Sequence, residues 1–239
     1  MRIILCSSYE EISNKAAELV ASQIMLKPDC VLGLATGSSP IGMYKKLTEM
    51  NLDFSEVKTF NLDEYYPISR DNVQSYYYFM NKHFYSKVNL KPENIHIPNG
   101  QTDDVRAECS AYDALIEQSG GIDLQILGIG QNGHIGFNEP DSSLNSATHL
   151  TKLSKSTIEA NARFFENEAD VPKQALTMGM STILKARKIV LLVSGKSKHK
   201  ALSELFDNSI NTSVPATMLK IHPDVVVICD KEAYDGIDK

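Results

Sequence analysis

The chain has 239 residues, 42% of them hydrophobic and 23% charged, with a formal net charge of −6. That length buries a full core, and this balance excludes a disordered or fibrous protein. The acidic surplus argues against a nucleic-acid partner, which meets a basic face, but leaves room for a small anion at a local site.

Short apolar runs alternate with helical patterns along the chain, as in successive βαβ units with a mostly parallel sheet. A first strand is expected at residues 3–6. Ile12, Ala16, Leu19, Val20 and Ile24 then recur at helical spacing. A second strand at 30–35 runs into Thr36-Gly37-Ser38-Ser39-Pro40, where Ser39 suits an N-cap and Pro40 a first helical residue. A third strand at 57–61 precedes the acidic and aromatic stretch Asp63-Glu64-Tyr65-Tyr66. Ala107, Ala111, Ala114 and Leu115 mark another helix, followed by a strand at 124–128. The segment 149–174 is more polar and reads as a surface helix and loop, a possible lid. Strands at 188–193 and 225–229 complete the pattern.

No linker or repeat divides the chain, so a single domain over 1–239 is expected, of α/β class and Rossmann-like, with helices flanking the sheet. The apolar runs are far shorter than the roughly 20 residues of a membrane span. The N-terminal run meets acids too soon for a signal peptide, so a cytoplasmic protein with no membrane partner is expected. Cys6, Cys30, Cys109 and Cys229 are scattered without C-x-x-C spacing, which points to free thiols rather than disulfides or zinc.

Open parallel sheets bind ligands at the carboxyl ends of their strands. Four loops here follow candidate strands and carry reactive residue types. Gly37, Ser38 and Ser39 precede a helix start, where amides and hydroxyls suit an anion. Asp63 and Glu64 are adjacent carboxylates among aromatics, a setting that raises pKa values and suits proton transfer. The alternative has Asp63 capping a turn and Glu64 facing water. The loop LGIGQNGHIGFNEP at 127–140 combines glycines with Asn132, His134 and Glu139. An imidazole suits proton transfer, and the carboxylate five residues on is able to orient it. The other histidines show no metal-ligand spacing to it. Last, Lys196, Lys198 and Lys200 crowd a helix start and oppose its dipole, an argument that reverses sign when an anion binds there. Arg163 in the polar segment offers a guanidinium fork.

Taken together and in this order, six segments resemble the glucosamine-6-phosphate deaminase family. They are LGLATGSSP at 32–40, FNLDEYYP at 60–67, SYYYFM at 75–80, GIGQNGHIGFNEP at 128–140, NARFF at 161–165 and ALTMG at 175–179. The likeness runs over nearly the whole chain. It implies conversion of glucosamine 6-phosphate and water to fructose 6-phosphate and ammonia, in amino-sugar catabolism, with no metal and no cofactor. It also implies a role for each residue. Asp63 matches the base that moves a proton from C2 to C1. His134 matches the residue that opens the sugar ring, with Glu139 as its carboxylate partner. Gly37, Ser38, Ser39, Arg163 and Lys198 fall where the family binds phosphate.

Two positions depart from the family pattern. Asn132 stands where many members have aspartate, so an amide rather than a charge neighbours the histidine. Gly-Ser-Ser replaces the Gly-Gly-Thr of some relatives but keeps hydroxyl and amide donors. The alternatives are a phosphosugar lactonase, of 6-phosphogluconolactonase type, and a non-catalytic phosphosugar sensor. The family includes monomers and homo-oligomers, with a monomer expected here.

Overall fold

Apart from the first run, at 3–6, which forms an edge strand with Leu5 exposed, the continuous apolar runs lie buried in a parallel sheet, as strands covered on both faces require. The computed structural model describes residues 1–237 apart from 163, 164, 166, 168 and 169. Its first strands are β1 (Arg2–Cys6), β2 (Val31–Leu34), β3 (Lys58–Asn61), β4 (Asp63–Tyr66) and β5 (Ile95–His96). They are followed by β6 (Leu124–Gly128), β7 (His149–Lys152), β8 (Gln174–Thr177), β9 (Lys188–Val193) and β10 (Val225–Asp230). Seven strands pair in the order β1-β10-β9-β6-β2-β3-β5, with parallel register at each pairing. All six strands expected from the sequence belong to this sheet. The seventh, β5, holds two residues at an edge, too few to show a period.

The helices of the first half are α1 (Tyr9–Leu26), α2 (Ile41–Glu49), α3 (Tyr76–His83) and α4 (Val105–Gln118). Those of the second half are α5 (Lys155–Ala162), α6 (Met180–Leu184), α7 (His199–Phe206) and α8 (Lys231–Tyr234). Sequence chemistry sets several helix starts. Ser8 caps α1 by accepting the Glu11 N–H, while the Glu11 carboxylate accepts from the Ser7 N–H and hydroxyl. Asp104 caps α4 through the Ala107 N–H at 2.9 Å. The four cysteines are buried free thiols.

A second sheet was not expected. Strands β4, β8 and β7 pair antiparallel in that order. Leu62 alone separates β3 from β4, and its backbone joins the two sheets. Its N–H donates to Leu34 O at 3.0 Å and its carbonyl accepts from Met178 N at 2.8 Å. The small sheet therefore grows from the carboxyl end of β3, where parallel sheets bind ligands. It brings its own apolar cluster of Tyr65, Ile68, Phe137, Leu153 and Ala175. Within the polar segment 149–174, the first four residues are thus a strand, with α5 following.

Candidate active site

The loops at the carboxyl ends of β2, β3, β6 and β9 enclose a cleft of about 1130 Å³. Among the residues lining it are Gly37, Ser38, Ser39, Asp63, Asn132, His134 and Lys198. Seven of the nine expected site residues therefore share one cavity. Glu139 stands behind His134 and reaches the cleft through it. Arg163 lies outside the described residues.

Asp63 opens β4 and is buried, as is Glu64. This excludes the reading in which Glu64 faces water. Successive strand side chains point to opposite faces, so Asp63 lines the cleft while Glu64 meets the start of α3. There the Glu64 carboxylate accepts three backbone N–H groups, from Tyr65 at 2.9 Å, Tyr76 at 2.8 Å and Tyr77 at 3.0 Å. Among the described residues, no hydrogen bond reaches the Asp63 carboxylate. Burial, with the Glu64 charge beside it, pushes Asp63 up to about 8. Burial also raises Glu64, to about 7, against the pull of its three N–H donors and of Arg70. A buried carboxyl that titrates near neutrality can both take and return a proton.

The glycines of the 128–136 loop make its sharp turns possible. A Cβ at Gly130 would lie 2.4 Å from the His134 ring, so only glycine admits the imidazole there. Gly133 and Gly136 have φ of 82° and 57°, the left-handed region that glycine enters without strain. The Asn138 amide ties the loop down by donating to Ile135 O at 2.9 Å and Met178 O at 2.8 Å.

His134 Nδ1 lies 3.5 Å from Glu139 Oε2, close enough for charge pairing, although among the described residues Nδ1 makes no formed hydrogen bond. Asn132 links the two. Its Nδ2 donates to Glu139 Oε2 at 2.8 Å and its Oδ1 accepts the backbone N–H of His134 at 3.2 Å. Thr157, from α5, donates to the other Glu139 oxygen. Burial would raise the Glu139 pKa, but nearby His134 and the hydrogen bonds from Thr157 and Asn132 outweigh it and hold the group down at about 2. The carboxylate is thus ionised throughout the neutral range.

The opposite wall suits an anion. Gly37 has φ of 86°, and Ser38 and Ser39 follow it into the cleft. Ser39 is not the helix cap that its position suggested. Pro40 occupies the cap position, and α2 begins at Ile41 with no side-chain cap. The Tyr9 hydroxyl takes that part instead, accepting the Gly42 N–H at 2.9 Å while donating to Ser38 O at 2.8 Å. Ser39 is thereby left lining the cleft. The turn after β9 presents Ser194, Ser197, Lys198 and Lys200, without Lys196. The buried Asp230 carboxylate holds this turn through the Ser194 hydroxyl at 2.6 Å and the Gly195 N–H at 2.9 Å. Tyr9, Thr157 and Asp230 carried no sequence signal, being single polar side chains distant from the motifs they support.

A family model described as glucosamine-6-phosphate isomerases/6-phosphogluconolactonase matches residues 7–228. The chain is 56% identical to a glucosamine-6-phosphate deaminase of Halothermothrix orenii, covering 98% of both proteins. It is 53% identical to one from Clostridium botulinum, covering 98% of this chain and 97% of the relative. A solved monomeric glucosamine-6-phosphate deaminase superimposes with a TM-score of 0.96 at 47% identity, covering 98% of each chain. A 6-phosphogluconolactonase from Leishmania guyanensis shares the fold, with a TM-score of 0.79 at 20% identity over 100% of this chain and 99% of that one.

Proposed function

The chain belongs to the family of glucosamine-6-phosphate isomerases and 6-phosphogluconolactonases, and on that premise we propose how it deaminates glucosamine 6-phosphate. The phosphate is held by the amides and hydroxyls of Gly37, Ser38 and Ser39 and by Lys198, which line one wall of the cleft. Arg163 is assigned to the same anion on its place in the sequence. Binding energy from this remote group fixes the reacting carbons against the opposite wall.

His134 moves the proton that opens the pyranose ring. The ionised Glu139 orients the imidazole, while Asn132 keeps the carboxylate in place. Ring opening exposes an aldehyde at C1, which acidifies the C2 hydrogen. Asp63 takes that proton and delivers it to C1, leaving a C2 iminium. Water adds to C2 and ammonia leaves, giving fructose 6-phosphate. His134 and Asp63 thus contribute proton transfers, and water supplies the oxygen that replaces the departing nitrogen.

The observation that carries this reading is a buried carboxyl with a pKa near neutrality that opens into the same cleft as a histidine–carboxylate pair. Lactone hydrolysis needs a base for water but no carrier that shuttles one proton between adjacent carbons. Incubation with glucosamine 6-phosphate should release ammonia and fructose 6-phosphate in equal amounts. Lactone hydrolysis without ammonia would reverse this assignment, and phosphosugar binding with neither product would leave the sensor reading.

We read 1–239 as one domain, with the part of the polar segment between β7 and β8 as a lid tied to the site by the Thr157–Glu139 contact. The protein is proposed to act as a cytoplasmic monomer. Support comes from the monomeric solved relative, and no helix among the described residues is long and apolar enough to cross a membrane. Light scattering should give a mass near 26.5 kDa.

A further inference from the structure

The Glu64 carboxylate is more than the start of α3 needs. Ser75 already caps that helix, its hydroxyl accepting the Tyr78 N–H at 3.0 Å. The two preceding amides, of Tyr76 and Tyr77, require acceptors, but a neutral side chain would satisfy them. Instead an ionisable group is buried there, next in sequence to the carboxyl that serves as proton carrier. Burial raises this carboxyl to about 7, but three N–H donors and the positive end of a helix favour its charged form. It is therefore ionised over the range in which Asp63, at about 8, titrates.

We propose that Glu64 is a positioning residue for the proton transfer. It holds a negative charge at the α3 N-terminus that sets the proton affinity of Asp63, and it fixes Tyr76 in the cleft wall. This inference rests on Asp63 being the carrier in the proposed function. Through a buried medium, two carboxylates on adjacent residues interact far more strongly than they would in water. Without the Glu64 charge, Asp63 would ionise more readily and bind the C2 proton less tightly. Tyr76 follows from the same bond: its N–H is held at 2.8 Å, and its ring stacks at 9° on Phe137 beside the cleft.

Other groups face this pair, and none duplicates the effect. Arg70 stands near Glu64 from the preceding loop and partly offsets its charge. His134 and Lys198 share the cleft with Asp63 from the loops after β6 and β9. Tyr44 from α2, Tyr76 from α3 and Tyr112 from α4 surround Asp63 with hydroxyls that stay neutral, each raised well above its usual pKa by burial.

The test follows the Asp63 carboxyl by carbon NMR in substrate-free protein labelled at aspartate, in the wild type and in Glu64→Gln. The wild-type midpoint should fall near neutrality, and the variant midpoint should lie lower by at least about one pH unit. The acid limb of kcat/KM should move by the same amount, because the substrate's own titration is common to both proteins. A purely structural role would lower activity and leave both midpoints in place, which overturns the proposal. Should Glu64→Gln not fold, wild-type protein labelled at aspartate and glutamate decides: a Glu64 carboxyl charged while Asp63 titrates supports the proposal, and one still protonated through that transition, or an Asp63 midpoint in the ordinary carboxylate range, overturns it. The NMR reading is independent of turnover. Absent ammonia would defeat the proposed function, whereas an unmoved midpoint with normal ammonia release would defeat this inference alone.

Discussion

Replacing Asp63 by asparagine should abolish deamination and also stabilise the fold, by an amount that grows with pH. Asparagine is nearly isosteric with the protonated carboxyl, so the two burials cost about the same at low pH. Burial, with the Glu64 charge, raises Asp63 from 3.8 to about 8. In the unfolded chain the group ionises above its ordinary value, while in the fold it stays protonated until about 8. The folded state thus binds more protons, and wild-type stability falls as pH rises through that window. The variant lacks this loss. Each pKa unit is worth about 1.4 kcal/mol, so the variant should gain about 4 kcal/mol at about pH 7. The gain should level off above the folded pKa. For a chain of this length each kcal/mol moves Tm by about 2–4 °C, so a rise of about 10 °C is expected near neutrality. Urea unfolding of both proteins at several values between about pH 4 and pH 9 measures the gap. A gap that does not change with pH, or a variant less stable than wild type at the alkaline end, would refute the reasoning.

Three further substitutions probe other parts of the cleft. Asn132→Asp places a second carboxylate 2.8 Å from Glu139 in place of the amide donor. The two carboxyls share a proton at low pH, and once both are ionised the added charge should favour protonated His134 and move a limb of the pH–rate profile to higher pH, so superimposable profiles would exclude it. Gly130→Ala sets a methyl 2.4 Å from the His134 ring and should cut kcat at least tenfold as the imidazole is displaced, read from initial ammonia rates. Unchanged kcat would show that the ring has room to shift. Tyr9→Phe removes both hydrogen bonds that hold the start of α2 against the Ser38 carbonyl. It should raise KM severalfold with kcat nearly constant, because the phosphate site is remote from the reacting carbons, and a fall confined to kcat would contradict that placement.

What the sequence made legible follows from the kind of signal each element leaves. KIVLLV at β9 and VVVICD at β10 are buried along their length, and a run of apolar residues declares that without further context. The small sheet leaves no such mark. Its strands read DEYY, HLTK and QALT, mixing residues that strands usually disfavour with no clean alternation, because their pairing is decided by one another and by Leu62 rather than by local preference. The same limit explains the helix start at α2. Ser39 has the chemistry of a cap, but Tyr9, thirty-three residues before Gly42, supplies the acceptor, and no local rule sees across that distance. The cleft residues were legible because glycines, an imidazole and carboxylates have no structural use in such density. Their energetics were not. Whether Asp63 is an ordinary acid or a proton carrier depends on its burial and on what Glu64 is bonded to, and both are set by β4 pairing with β8 and by α3 docking on β4. The catalytic property therefore arises from a part of the fold that local sequence patterns do not reveal. A change that loosens the small sheet, far from any substrate contact, should thus lower the proton affinity of Asp63 before it unfolds the protein.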